Sequence, residues 1–202
     1  RYLNQDVYKA NRTDILLAIE DFNQALRFKP DMVKAMRNKG AAYRMIDENE
    51  QSLKYLKQAL QLAPDYYGNH FQLARTYYKM SDYEKAIDYF SSALKLKPTL
   101  AEAYLERGNA KTKLGYYREA LDDQDKAILN DEDFAALAHY NKAVNYALLE
   151  QRADMMSELE EALSAGYFTR PNLERFQKSE YFDPYRQDEK KKKFVSKVKR
   201  KL

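Results

Sequence analysis

The sequence predicts an all-α protein, a solenoid of helix-turn-helix repeats closed by a C-terminal helix. Three observations lead there. Pro30, Pro64 and Pro98 stand 34 residues apart, each at the end of a similar phrase. Between them apolar residues recur at three- and four-residue intervals, the period of a helix with one buried face. Gly and Pro number only five each in 202 residues, too few for the turns of a β-sandwich or barrel.

The phrases run in order along the chain. Gln24-Ala25-Leu26 leads to Pro30, Gln58-Ala59-Leu60 to Pro64, and Ser92-Ala93-Leu94 to Pro98. Lys126-Ala127-Ile128 keeps the period, with Glu132 in place of the proline. Glu161-Ala162-Leu163 follows after 35 residues, so one residue has been inserted, and Asp133-Phe134 is where we place it. Within a repeat, Tyr77, Met80, Tyr83, Ala86, Ile87 and Phe90 trace helical spacing. Proline lacks an N–H and restricts the residue before it, so it ends the second helix of each pair. Met45-Ile46-Asp47-Glu48 and Met80-Ser81-Asp82 read as the turns between the two helices. A lone pair of this kind cannot bury its apolar face, whereas stacked pairs share one continuous core.

These residues resemble the tetratricopeptide repeat, W-x2-L-G-x2-Y…A-x3-F…P. The repeat from Val33 supplies Met36, Gly40, Tyr43, Leu56, Ala59 and Pro64. The repeat from Tyr67 supplies His70, Leu73, Ala74, Tyr77, Ala86, Phe90, Ala93 and Pro98. The repeat from Ala101 offers Tyr104, Gly108, Leu114, Gly115, Tyr117, Ala120 and Ala127. The last offers His139, Ala143, Tyr146, Leu149, Leu159 and Ala162. The first keeps Ala18, Phe22, Ala25 and Pro30, with a poorly fitting or truncated first helix. The resemblance implies an all-α right-handed α-solenoid of five repeats (1–32, 33–66, 67–100, 101–135 and 136–168), with 169–202 forming C-terminal capping helices and a basic tail. In the fourth repeat Arg107, Lys111 and Gln124 replace the usual apolar residues. They read as long stems lying over a thin core, or as a polar pocket made with Asp122, Asp123 or Asp125.

The resemblance further implies that positions two, five, six, nine, twelve and thirteen of each repeat line a concave groove. Those positions bring Lys34, Arg37, Asn38, Arg44, Phe71, Gln72, Arg75, Tyr78, Lys79, Asn109, Tyr140, Asn141, Val144 and Leu148 forward as candidate ligand contacts. The N-terminal half is basic, the fourth repeat mixed (Glu102 and Glu106 among its residues) and the fifth mostly apolar. An amide side chain offers donor and acceptor together, so Asn38, Gln72 and Asn141 suit the backbone of an extended peptide. Leu137, Tyr140, Val144 and Leu148 call for a cover or a ligand. The family's clamp for a C-terminal carboxylate needs Lys and Arg where Glu102 and Glu106 stand, which argues against that mode. Tyr66, Tyr67, Tyr78, Tyr116 and Tyr140 read as contact surface, whereas Tyr43, Tyr77, Tyr83, Tyr104, Tyr117 and Tyr146 occupy core positions.

Nothing in the sequence favours an enzyme. His70 and His139 both take the fourth position of their repeats and read as helix-packing residues. Cys is absent, and with it any thiolate metal site or Cys nucleophile. There is no Gly-rich phosphate loop and no Ser-His-Asp elbow, and no cofactor is implied. Asn11-Arg12-Thr13 fits a glycosylation sequon. The chain opens on Arg1, which points to a mature or excised segment, and its composition chooses no compartment beyond a cytoplasmic default.

Net charge is +4, but residues 186–202 hold nine Lys/Arg against Asp188 and Glu189, so the remainder is slightly acidic. Thr169-Arg170-Pro171 reads as a helix start, and Asp183-Pro184 as the start of a last helix carrying Phe194, Val195, Val198 and Leu202 on one stripe. That helix is a solenoid cap, or a polyanion contact for nucleic acid or an anionic membrane surface. The reading is a non-enzymatic interaction module holding a peptide or partner protein, with Arg37, Asn38, Arg75, Tyr78 and Tyr140 as principal contacts. An acidic ligand with an apolar anchor suits the groove. The tail as a tether is the alternative, and self-association through exposed repeat ends is a third.

Overall fold

A computed structural model describes residues 12–202. The Asn11 end of the sequon and the opening of the first repeat lie outside them. Among the described residues there are eleven α-helices, two short 3-10 helices and no strand. No helix among the described residues is long and apolar enough to cross a membrane. The chain divides into two compact units, Arg1–Ala110 and Lys111–Leu202.

The N-terminal unit carries α1 (Arg12–Phe28), α2 (Val33–Met45), α3 (Asn49–Leu62), α4 (Tyr67–Lys79), α5 (Tyr83–Leu96) and most of α6 (Ala101–Lys113). Its core joins Leu56, Phe71, Leu73, Ala74, Phe90 and Ala93, and Ile15 and Ile19 of α1 pack on Ala42 and Ile46. Helices approach closely at small residues. A methyl at Gly40 would stand 2.6 Å from Leu56 Cγ and 3.1 Å from the Ser52 carbonyl, so α2 and α3 meet there at backbone distance. Buried polar groups join the helices: Ser52 and Thr76 share a 2.9 Å hydrogen bond, and the Asn69 amide N–H groups donate to the Ala59 and Ala63 carbonyls that end α3.

The C-terminal unit holds α7 (Tyr117–Asn130), a 3-10 turn (Glu132–Phe134), α8 (Ala135–Leu148), α9 (Arg152–Ser164), α10 (Arg170–Lys178), a second 3-10 segment (Glu180–Tyr185) and α11 (Glu189–Lys201). The first 3-10 turn stands where the sequence places the inserted residue. Phe168, Phe176, Phe182 and Phe194 form an aromatic cluster edge to face, with centroids 4.8–5.9 Å apart.

The turn inside each helix pair repeats with the same period. Asp47, Ser81, Gly115 and Glu150 all have positive φ, at 68°, 62°, 82° and 59°. The next residue's N–H returns to a carbonyl five residues back, as in Glu48 to Tyr43, Asp82 to Tyr77, Tyr116 to Lys111 and Gln151 to Tyr146. This is the Schellman closure, which satisfies carbonyls that the helix end leaves open. Ala59, Ala93, Ala127 and Ala162, the central residues of the repeated phrases, have no exposed surface at all.

Three expectations need correction. Asp183 and Pro184 lie in the second 3-10 segment, tied down by the buried Phe182, and the last helix starts later. Its cap is Asp188, whose carboxylate accepts from the Lys190 and Lys191 N–H groups. Leu202 falls off the apolar stripe and is exposed, while Phe194 and Val198 are buried against α9. In the fourth repeat the polar alternative is closer to what is found than stems over a thin core. Lys111 Nζ lies 2.7 Å from a carboxylate oxygen of Asp123, which is 1% exposed. Buried Gln124 accepts from Asn145, which in turn accepts from Thr112. Arg107 behaves otherwise, donating to Ser91 and lying over the Tyr104 ring.

Candidate functional site

In the N-terminal unit the first helices of three successive repeats, α2, α4 and α6, carry the ten candidates up to Asn109, and Arg44, Gln72, Arg75 and Lys79 make contacts from one first helix to the next. Exposed Lys34 stands near the start of α2. One turn on, Arg37 lays its guanidinium over the Tyr66 ring at 4.8 Å, and Asn38 is half-buried beside it. Arg44 donates to Gln72 Oε1 at 3.1 Å and joins α2 to α4. Lys79 bridges back to the Arg44 carbonyl at 2.7 Å and to Asp47 at 2.6 Å. Asn109 is half-buried on α6.

Arg75 is the hinge of this face. It sits 3.6 Å from Glu102 and 3.2 Å from Glu106, so one guanidinium holds two carboxylates of the next first helix. Burial pushes the Glu106 carboxyl up to about 7, with the Arg75 and Arg44 charges pulling down and Glu102 pushing up. The uniformly basic N-terminal half expected from sequence is therefore not what the fold presents. Lys34 and Arg37 on α2 have no ion-pair partner among the described residues, whereas both cations of α4 are matched.

Phe71 does not belong to the surface. It is buried at 5% exposure with its ring 5.7 Å from Phe90, because it packs inward between α4 and α5. Tyr78 is half-buried and meets Tyr83 edge-on.

The C-terminal unit treats its candidates differently. Tyr140 stacks on Tyr167 and borders Phe168 and Phe182. Val144 is buried, and Leu148 packs against the same core. Tyr185 reaches the Ala147 carbonyl, and Asn141 gives its own carbonyl to Asn145. The apolar face of α8 that called for a cover has one, supplied by residues 167–185 of the same chain. Sequence reasoning missed those residues, and the signal lay in their aromatic density: Tyr167, Phe168, Phe176, Tyr181, Phe182 and Tyr185 within 19 positions.

Elsewhere, titratable groups on α7, α8 and α9 pair with one another. His139 Nδ1 lies 2.7 Å from Glu158, which also meets Lys142, and Lys142 reaches Asp125. His70 Nε2 contacts the Pro64 carbonyl at 2.7 Å. Among the described residues no group of three or more His, Cys, Asp or Glu side chains is arranged to hold a metal.

Sequence profiles of the tetratricopeptide repeat match residues 31–99 and 101–134, together just over half of the chain. The chain is a tetratricopeptide-repeat protein. Solved structures share its fold. PilW, a type IV pilus biogenesis factor, superposes with a TM-score of 0.80 at 18% identity, over 93% of this chain and 86% of that one. MamA gives 0.69 at 21% identity, over 82% and 96%. YrrB, described as a tetratricopeptide-repeat protein with an unusual peptide-binding site, gives 0.67 at 21%, over 82% and 84%. At such identities the likeness is one of fold. A search of curated protein sequences returned no significant match.

Glu102 and Glu106, which stand where the family's carboxylate clamp has cations, both pair with Arg75.

Proposed function

We propose that this tetratricopeptide-repeat protein is a non-enzymatic scaffold that holds an extended peptide, or an extended segment of a partner protein, across the first helices α2, α4 and α6. One observation carries the reading. The three helices carry half-buried amides and charged groups, some of whose hydrogen-bonding capacity is unused. Gln72 accepts from Arg44 through its oxygen and leaves its NH2 group open, and Asn38 makes no side-chain hydrogen bond among the described residues. Such amides can pair with both the N–H and C=O of a bound backbone. Lys34, Arg37, Asn38, Gln72, Arg75, Lys79 and Asn109 are the contacts we assign, with Tyr78 at the edge.

The experiment is a comparison of wild type with an Arg37→Glu/Gln72→Ala variant as bait in a pull-down from native lysate, washed at low and high salt. A protein retained at high salt by wild type and lost by the variant supports the reading. Arg75→Glu is unsuitable as a test, since it would set a third carboxylate beside Glu102 and Glu106.

The basic tail supports a second reading, contact with nucleic acid or an anionic membrane surface. Lys190, Lys193, Lys197 and Arg200 follow one side of α11 and line a cleft of about 480 Å³ with Met156, Glu160 and Phe194. Other tail cations serve packing. Lys191 is buried, donates to the Phe182 carbonyl at 3.0 Å and lies over Phe176 and Phe182. Deleting 186–202 would therefore strip Phe194 and Val198 from the core and give no clean result. Changing Lys190, Lys193 and Arg200 to Gln tests the tether with the helix intact, and loss of salt-sensitive polyanion binding alone would establish it.

A further inference from the structure

We propose that the cleft walled by α1, α2 and α3 is a second binding site, which takes a carboxylate carried on a short apolar group and holds it against Lys39. Lys39 stands at the seventh position of its repeat, outside the positions assigned to the peptide-binding face, so the site does not depend on the reading above. The cleft has a volume of about 620 Å³, within the roughly 300–1,000 Å³ of small-ligand pockets. Lys39 lines it together with Tyr55 and is 4% exposed. Its ammonium lies 3.7 Å from the centre of the Tyr55 ring and 5.9 Å from that of Tyr43, and the two rings stack 5.6 Å apart. Among the described residues it makes no hydrogen bond and no ion pair.

An ammonium carries three N–H donors and no acceptor. A ring face attracts the charge but offers no lone pair to those donors. Burial of a charge is costly unless an opposite charge and hydrogen bonds offset it, and a bound carboxylate supplies both. The rest of the wall suits such a ligand. Arg27 brings a second cation and Gln58 and Gln61 bring amide donors, and none of the three has a side-chain partner among the described residues. Leu26 and Leu62 give an apolar surface beside them. No acid is among the described residues of the wall. Glu20 accepts from the Asn23 amide at 3.0 Å and Glu48 bears on Tyr43, and neither pairs with Lys39. Lys54, 5.7 Å from the Tyr55 ring centre, adds further positive charge. Desolvation of an ion grows steeply with its charge, so one buried ammonium matches a singly charged carboxylate better than a phosphate dianion.

The probes are N-acetyl-leucine, its uncharged amide, inorganic phosphate, and an end-capped peptide with an internal Asp-Leu pair. Each is titrated calorimetrically into the full chain, and nuclear magnetic resonance follows the side-chain amides of Gln58 and Gln61. Lys39→Met removes the charge and keeps an apolar stem. Gln58→Glu, a change at an exposed position, sets a competing carboxylate in the cleft. Arg37→Glu/Gln72→Ala serves as the variant of the other face.

N-acetyl-leucine should bind at least about tenfold more tightly than its amide and shift both glutamine signals. Lys39→Met and Gln58→Glu should each abolish that advantage with circular dichroism unchanged, while Arg37→Glu/Gln72→Ala should bind as wild type does. Should Lys39→Met fail to fold, Gln58→Glu decides the same question. Tighter binding of the Asp-Leu peptide than of N-acetyl-leucine, with the same dependence on Lys39, would support the site and assign the carboxylate to a partner's side chain. The opposite order would support it with a free organic acid as ligand. Phosphate binding as tight as that of N-acetyl-leucine would overturn the choice of a carboxylate. Equal binding of acid and amide, or binding of no probe, would overturn the proposal and leave Lys39 a packing residue. So would binding that survives Lys39→Met and Gln58→Glu but is lost in Arg37→Glu/Gln72→Ala.

Discussion

Tyr140 of α8 lies flat against Tyr167, with ring centroids 4.3 Å apart and planes 15° from parallel. The pair fixes the segment after α9 onto a face that the repeat pattern alone would leave open. Burial also raises the pKa of both phenols above the usual range. Tyr167→Ala should lower the unfolding free energy by about 2–3 kcal/mol, somewhat under the loss for a fully buried ring. Urea denaturation reads the loss. Peptide binding to the N-terminal unit, measured below the transition, should not change.

The positive-φ turns make a second prediction. Glu150 has a φ of 59°, where an L side chain is strained and glycine is not. Glu150→Gly should stabilise by about 0.5 kcal/mol, the relief of strain being partly offset by a more flexible unfolded chain. Gly115→Ala, at a φ of 82°, should cost about 1 kcal/mol. Thermal melts of the two variants should move in opposite directions.

Gly40 and Leu56 should behave as a coupled pair. A methyl at position 40 would meet Leu56 Cγ at 2.6 Å inside a closed core. Gly40→Ala should cost about 1–3 kcal/mol by overpacking. In combination with Leu56→Ala the total loss should be smaller than the two single losses added, because the shortened side chain makes room. A double-mutant cycle by chemical denaturation reads the difference.

The Lys111–Asp123 pair supplies a fourth. Asp123→Leu alone leaves a largely buried ammonium without its counter-charge and should cost about 3–5 kcal/mol. Adding Lys111→Met should recover most of that loss. A double variant as unstable as the single one would show that the pair contributes through packing and not through charge.

Glu106 should give stability a pH dependence of known sign. Its folded pKa of about 7 stands above the ordinary 4.5, so the folded chain holds the proton more tightly than the unfolded chain. The contribution is fully present below pH 4.5 and is lost as pH rises through 7. The side chain keeps 22% of its surface in water, which limits the change to about 2 kcal/mol. Wild type should lose stability between pH 5 and 8 relative to Glu106→Gln, whose curve should lack that component.

Much of the fold is legible in the sequence because it depends on local rules. Prolines at 30, 64 and 98 stop helices wherever they stand, and the buried alanines mark where helices cross. The turns are harder to read, since Asp47, Ser81 and Glu150 take a conformation that sequence associates with glycine. The last helix is misplaced for a similar reason. Asp183 and Asp188 are equally good caps, and what separates them is the burial of Phe182.

The candidate face is only partly legible. Position within the repeat brings the α2 and α4 residues to one surface. It cannot show that Arg75 reaches forward to Glu102 and Glu106, because that pairing joins groups 27 and 31 residues apart. Nor can an apolar stripe on α8 reveal whether it is covered by a ligand or by the chain's own aromatics. Both coverings require the same residues.

The most direct measurement selects peptides from a random display library on wild type and maps the winners by nuclear magnetic resonance. Binding across α2, α4 and α6 predicts that the side-chain amide signals of Asn38, Gln72 and Asn109 shift on titration. The same peptides should lose about tenfold or more in affinity for Arg37→Glu/Gln72→Ala. Peptides that bind wild type and variant equally, with shifts confined to α9 and α11, would contradict the assignment of this face as the binding site.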